Sequence, residues 1–432
     1  MRFPTLAMAA WLSVWLAVWL ATTPPASAQG ASSSAPLTLA EAIRLAETTH
    51  PSVRAREAQL AAAEGSRREA SALLFNNPEF STERTRRRID APDGRRNEWS
   101  VGMAQPFETG GQQARRREAA AAALDALRAE IEAVRWQARA DAATRFFGVL
   151  AAQRRVLLEQ RSVDLFDSSA QAVAKRRAAG EDTRLDANVA VVEAERARNA
   201  LALAGEKLIE ARSELATAVQ WPASLLPELA GDLGTNAGDA LPYNLEALLA
   251  SAPALPKQRA LSAREDAARA RLGVERASRY PDVTVGLRVG RDGPGDARER
   301  LTTVSISVPL PLFKRNHAAI GQALTDVTQA EVERASVLRD TQARVRQLWS
   351  RLTSQRDRVQ RLQRVMVPAS TDNQQLSAKS RQAGQIGLLD QLIVNRQALD
   401  AERDLNDLLA ELQATRIELE HAAGWLQEGT SR

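Results

Sequence analysis

The sequence predicts a mainly α-helical protein with a transmembrane β-barrel portion, built as two internal structural repeats with four strands per chain. Three observations predict it: a composition suited to long helices, an order of landmarks written twice, and two pairs of dyad-patterned strands. Aromatic residues make up only 4% of the 432 residues, charged residues 26%. Ala, Leu, Arg, Glu and Gln dominate, the residues that lose least on entering a helix. Such a chain favours long helices packed side by side over a compact aromatic core.

The N-terminal segment, residues 1–28, reads as a secretory signal. Arg2 gives a positive start, Leu6 to Leu20 an apolar stretch, and Ala26-Ser27-Ala28 a small-x-small cleavage site before Gln29. A retained anchor fits less well, because the stretch is short for a span of about 20 residues and ends in Pro24-Pro25. Cysteine is absent, so no disulfide forms and no lipid-bearing Cys follows the cleavage site. Membrane attachment then falls to the protein itself.

The mature chain is written twice, at an offset of about 203 residues. Asn77-Pro78-Glu79-Phe80 matches Tyr280-Pro281-Asp282-Val283, and Gln105-Pro106-Phe107 matches Val308-Pro309-Leu310. Further on, Arg177-Ala178-Ala179-Gly180 matches Arg381-Gln382-Ala383-Gly384, and Leu185-Asp186 matches Leu389-Asp390. The repeats are placed at 29–221 and 243–425, with a Gly-, Pro- and Asp-rich connector at 222–242 and a tail at 426–432.

Each repeat follows one plan: a helix, two strands, a very long helix, a Gly-containing break and a shorter helix. In the first these fall at Leu39–Phe75, Glu79–Phe107, Gln112–Arg177 and Leu185–Val219. Leu124, Leu127, Ile131 and Val134 mark a packing seam in one long helix, and Val345, Leu348, Leu352, Val359, Leu362 and Met366 in the other. A long helix of about 66 residues measures roughly 100 Å. The two shorter helices of each repeat sum to nearly that length, so each repeat supplies one continuous and one spliced stave.

The strands alternate. Val283, Val285, Leu287 and Val289 interleave with Thr284, Gly286, Arg288 and Gly290, and Val304, Ile306, Val308 and Leu310 with Thr303, Ser305, Ser307 and Pro309. With Trp99, Val101, Met103 and Phe107 alternating likewise, this is the pattern of a barrel with lipid outside and water within. The segments Asp90–Asn97 and Arg291–Arg300 read as charged loops. Arg84, Arg86 and Arg88 follow Phe80 and Thr82, so the first strand's lipid-facing part is short or its arginines lie beyond the bilayer. Four strands cannot close a barrel, so oligomerisation is required; a dimer would give eight strands and a trimer twelve.

The repeat, the strand pairs and the breaks together resemble the TolC family of outer-membrane efflux ducts over nearly the whole mature chain. Asn76-Asn77-Pro78-Glu79-Phe80, Ala104-Gln105-Pro106-Phe107-Glu108-Thr109-Gly110-Gly111 and Val308-Pro309-Leu310-Pro311-Leu312-Phe313-Lys314-Arg315-Asn316 look most like its heavy-metal, CzcC-like branch. The resemblance implies a homotrimer in outer-membrane lipid, with a twelve-stranded barrel continued by a helical tunnel in the periplasm. It also implies two partners, a periplasmic adaptor (membrane fusion) protein and an inner-membrane pump of the RND type. The breaks resemble the tips that meet the adaptor, which assigns adaptor contact to Gly180, Thr183, Leu185, Gly384, Gly387 and Leu389. Asp390 resembles a gate aspartate of some members, and Asp186 is its repeat mate; a second gate aspartate corresponds here to Ile393. Read from the residues alone, both aspartates equally suit a helix start, where a carboxylate complements the dipole.

The net charge of +5 does not signal nucleic acid, because Arg is interleaved with Glu and Asp at helical spacing and the basic cluster Arg84–Arg88 is short. No phosphate-binding Gly-Lys loop, zinc-type His pair or nucleophile elbow occurs, so no enzyme activity and no cofactor is expected. His50, His317 and His421 are scattered. The expected function is a passive outer-membrane conduit of a tripartite efflux system, with heavy-metal cations the favoured cargo. Drug efflux and type I protein secretion are the alternatives within the class. An elongated periplasmic coiled-coil spacer is the structural alternative, disfavoured by the paired strands.

Overall fold

In the chain's order, helices α1 (Leu39–Thr49), α2 (Pro51–Glu57) and α3 (Leu60–Ala70) lead into strands β1 (Glu79–Arg88) and β2 (Arg95–Phe107). Two long helices follow, α4 (Gln112–Ala178) and α5 (Arg184–Val219). The second repeat runs α6 (Leu245–Ser251), α7 (Pro256–Ala277), β3 (Val283–Asp292), β4 (Glu299–Ser307), α8 (His317–Arg361), α9 (Val367–Gln382) and α10 (Leu388–Ala423). This computed structural model describes residues 36–88, 95–234, 241–292 and 299–425. The expected signal segment and C-terminal tail, and parts of the connector and of both strand-joining loops, lie outside the described residues.

The expected single helix Leu39–Phe75 is three helices ending at Ala70. His50 takes an extended backbone (φ −58°, ψ 131°) because the following Pro51 disfavours the helical region for its neighbour. The His50 ring then caps α2, accepting from Ser52 N at 3.3 Å. Beyond α3, Leu73, Leu74 and Phe75 are exposed and non-helical. The second long helix is also interrupted: residues Leu362–Met366 form a π segment, just before Pro368. A π turn adds a residue, which rotates the apolar stripe off its seam. Met366, expected in the seam, is accordingly exposed, whereas Val345, Leu348, Leu352 and Val359 are buried.

The hairpins of the two repeats join in one antiparallel sheet, ordered β1-β2-β3-β4. Met103 lies between Phe80 and Leu287, and Leu287 faces Val304 across the next pair. One sheet face therefore carries Phe80, Val101, Met103, Val285, Leu287, Val289, Val304 and Ile306, most of them exposed in the single chain. The other carries Ser81, Glu83, Gly102, Gly286, Arg288, Thr303 and Ser305. The strands overrun the expected loops, with β2 beginning at Arg95, β3 reaching Asp292 and β4 beginning at Glu299. At its other end β4 stops at Ser307, leaving Val308 and Leu310 outside, since Pro309 and Pro311 cannot donate to a ladder. Among the described residues, no helix is long and apolar enough to cross a membrane.

Alanine governs the helical packing. Ala190, Ala194 and Ala197 of α5 and Ala138, Ala142 and Ala143 of α4 are almost wholly buried, allowing close approach of neighbouring helices. A larger cluster of Leu233, Leu248, Leu348, Leu352, Leu409 and Leu419 ties α6 and the connector to α8 and α10. The connector is not slack: Leu37 N donates to Glu228 O at 2.8 Å and Ala230 N to Leu37 O at 2.9 Å.

Candidate functional site

The ends of α4 and α9 are closed by the same device. Gly180 (φ 82°) and Gly384 (φ 72°) adopt the left-handed conformation that terminates a helix. Gly180 N donates to Arg177 O and Glu181 N to Arg176 O, both at 2.9 Å. Gly384 N donates to Arg381 O at 3.1 Å and Gln385 N to Ser380 O at 2.9 Å, so both turns carry the paired bonds of a Schellman motif. At about 1.5 Å per residue, α4 places the first turn roughly 100 Å from the sheet. The turns are the tips of the staves.

Each outgoing helix is capped by an aspartate in its first turn. Thr183 Oγ1 accepts from Asp186 N at 3.1 Å, while Asp186 Oδ2 accepts from Thr183 N at 3.0 Å and from Thr183 Oγ1 at 2.7 Å. These bonds from the Thr183 side chain and backbone hold the Asp186 carboxyl below the usual carboxylate range. Gly387 offers no side chain, and Asp390 Oδ2 accepts from Gly387 N at 3.2 Å. Both predicted gate residues thus serve as cap acceptors, using Oδ2 in each case. Leu185 and Leu389 stand exposed beside the caps, at 71% and 65%.

The two tips are clasped together by a residue that the sequence analysis did not single out. The Asp182 side chain is almost wholly buried, and its Oδ1 accepts from Arg381 Nη2 at 2.7 Å; Arg176 Nε lies 3.4 Å from its Oδ2. A signal was available, because Asp182 falls opposite the apolar Ile386 when the tips are aligned. Just above the tips, Leu388 and Leu392 of α10 pack with Val163, Phe166, Val173, Ala190 and Ala194 of the first repeat.

Two further carboxylates join the repeats along the staves. Glu159, 1% exposed, accepts from Arg155 at 2.7 Å and from Arg403 of α10. Burial raises its pKa, but the hydrogen bonds from Arg403 and Arg155 outweigh that and hold it low overall. Glu193 accepts from Arg396 Nε at 2.9 Å and from Arg196, and the Arg396 bond holds its pKa low. Among the described residues, no group of His, Cys, Asp and Glu is placed to hold a metal ion. His421 stacks on Trp136 with centroids 5.9 Å apart, and burial pushes its pKa down.

A sheet with one exposed apolar face, set at one end of helical staves that turn back at capped tips, defines an outer-membrane efflux channel subunit. The family model for outer membrane efflux proteins matches residues 42–219 and 244–425, and the chain belongs to that family. It is 30% identical over 373 residues to the cobalt-zinc-cadmium resistance protein CzcC of Cupriavidus metallidurans, covering 86% of this chain and 84% of that protein. The fold is shared with the crystal structure of CusC (TM-score 0.74, 17% identity, 89% of this chain and 91% of that one). It is also shared with the open-state MtrE channel of Neisseria gonorrhoeae (TM-score 0.74, 20% identity, 91% of each). The VceC channel of Vibrio cholerae gives a TM-score of 0.72 at 19% identity, over 89% of this chain and 96% of that one.

Proposed function

We propose that three copies of this chain form a passive duct through which heavy-metal cations leave the periplasm. The carrying observation is the sheet: its β1 and β4 edges are unpaired in the single chain while its apolar face is exposed. Unsatisfied edges are not tolerated in lipid, so edge must meet edge in a closed barrel. Three copies supply twelve strands, and the staves continue the barrel as a tunnel towards the periplasmic adaptor and an RND-type pump.

Cobalt, zinc and cadmium are favoured as cargo by the likeness to CzcC. On this reading the energy and the selection of cargo reside in the pump. On this reading the tips, with Gly180, Thr183, Leu185, Gly384, Gly387 and Leu389, dock the adaptor. Asp186 and Asp390 add threefold rings of carboxylate at the narrow end, favouring cations because charges in a narrow pore are poorly screened. The test is deletion of the gene in its native host, with resistance scored against cobalt, zinc, cadmium and a panel of drugs. Loss of metal resistance alone supports the reading; loss of drug resistance with metal resistance intact contradicts the cargo.

A further inference from the structure

The basic run of β1 acquires a partner surface in the sheet. Arg84 pairs in register with Trp99, Trp99 with Arg291, and Arg291 with Arg300, so one residue row crosses all four strands as Arg-Trp-Arg-Arg. This row belongs to the apolar face, since Thr82, Val101, Val289 and Thr302 form the row before it. Arg86, opposite Asn97, stands one row further out on the same face. From Phe107 to Trp99 the band measures about 27 Å along the strand, so aromatic side chains bracket the apolar belt as girdles do at the two membrane surfaces. The arginine row lies at the end away from the helices, hence at the outer surface of the membrane.

Arg291 and Arg300 face each other directly, and like charges directly opposite destabilise a sheet. Among the described residues, Arg84, Arg291 and Arg300 have no carboxylate partner. On the opposite face the contrast is clear, for Arg288 pairs with Glu83 at 3.4 Å. Among the described residues this like-charged row at the rim of a lipid-facing belt is left unneutralised, and an anionic lipid headgroup is of the charge that suits it. The geometry points to Arg84, Arg291 and Arg300 as a seat for phosphate-bearing headgroups of outer-leaflet lipid. Arginine suits this role because its planar fork bonds phosphate bidentately. In a closed barrel the seat recurs once per copy. The inference rests on the outer-membrane barrel reading.

The test uses the full assembly in phosphatidylcholine nanodiscs. These are doped with diphosphoryl lipid A, monophosphoryl lipid A or no further lipid, and a last arm adds inorganic phosphate. Bound lipid is counted by native mass spectrometry, and the dissociation temperature of the assembly is recorded. Diphosphoryl lipid A should bind and raise that temperature. The combined Arg84→Gln, Arg291→Gln and Arg300→Gln variant should bind it about 100-fold more weakly, at about fivefold per arginine. Arg288→Gln should bind normally. Should the triple variant not assemble, Arg300→Gln alone should show the fivefold loss. Unchanged lipid binding by assembled variants would overturn the seat, as would an equal effect of inorganic phosphate. Failure of the unsubstituted protein to enter the bilayer would instead overturn the barrel reading beneath it.

Discussion

At the first tip the third position after the helix-terminating turn begins a full capping box, and Asp182 is buried against Arg381. At the second, Gly387 replaces the capping threonine and Ile386 replaces the aspartate. The same inequality continues up the staves. Glu193 of the first repeat binds Arg396 of the second, while Gln397 occupies the position opposite Glu193. Backbone turns, which only need a glycine and an N-terminal cap, are kept in both repeats. Charges that hold one repeat against the other must instead be complementary, so duplication of both partners would place like beside like. The duplicated fold is thus maintained by sameness in its turns and by difference in its contacts.

The largest effect expected from breaking this complementarity is at Glu159. Its removal takes away the buried carboxylate that Arg155 and Arg403 share, leaving them Asp407 and Asp400, a change that costs about 1–3 kcal/mol. Glu159→Ala should therefore lower the thermal dissociation temperature of the purified assembly markedly. Glu193→Ala should lower it far less, because Arg196 and Arg396 remain well solvated. Equal effects would remove the distinction between mid-stave and tip-side pairs. The Glu159 contribution also sets a pH dependence. Its folded pKa lies below the ordinary value of 4.5, so the stabilisation is complete above that value and is lost as the pH falls through the folded pKa. A stability titration from pH 7 into the acid range should show this loss in the unsubstituted protein and a shallower one in Glu159→Gln.

At the tips, Asp182→Ile would make the first repeat resemble the second. Arg381 would lose its partner, which predicts faster amide exchange over 177–187 and 381–390 with little change in the dissociation temperature. Unchanged exchange at both tips would mean that the clasp does not hold them. Gly180→Val and Gly384→Val should each cost about 1–2 kcal/mol, from the left-handed backbone alone, since a Cβ at either position meets nothing within 4 Å. Similar penalties at the two sites would support the sameness of the turns. The smallest effect is expected at the unequal caps. Thr183→Ala should cost about 1 kcal/mol, whereas Gly387→Ser should gain a few tenths, its backbone being extended rather than left-handed. Local exchange protection in the first turns of α5 and α10 reads both.

Much of this architecture is legible in the sequence. The recurrence of Gly180 and Gly384 located both tips, and dyad alternation located the strands, because both signals are local and steric. What escaped was decided by neighbours. Proline at position 51 broke a helix whose apolar spacing runs straight through it. The π segment shifted Met366 off a seam that a uniform period places it in. Asp182 and Glu159 looked like ordinary charged residues, since one of the arginines around each, Arg381 and Arg403, lies in the other repeat. The capping role of Asp186 and Asp390 was readable from their place after Thr183 and Gly387, whereas a gate depends on other copies of the chain.

If the single chain is one third of a membrane-spanning duct, the mass of the assembly extracted from the outer membrane reveals it. Native mass spectrometry of the detergent-solubilised protein should give a complex of three identical chains. A monodisperse single chain, or a soluble protein recovered from the periplasm, would contradict the account.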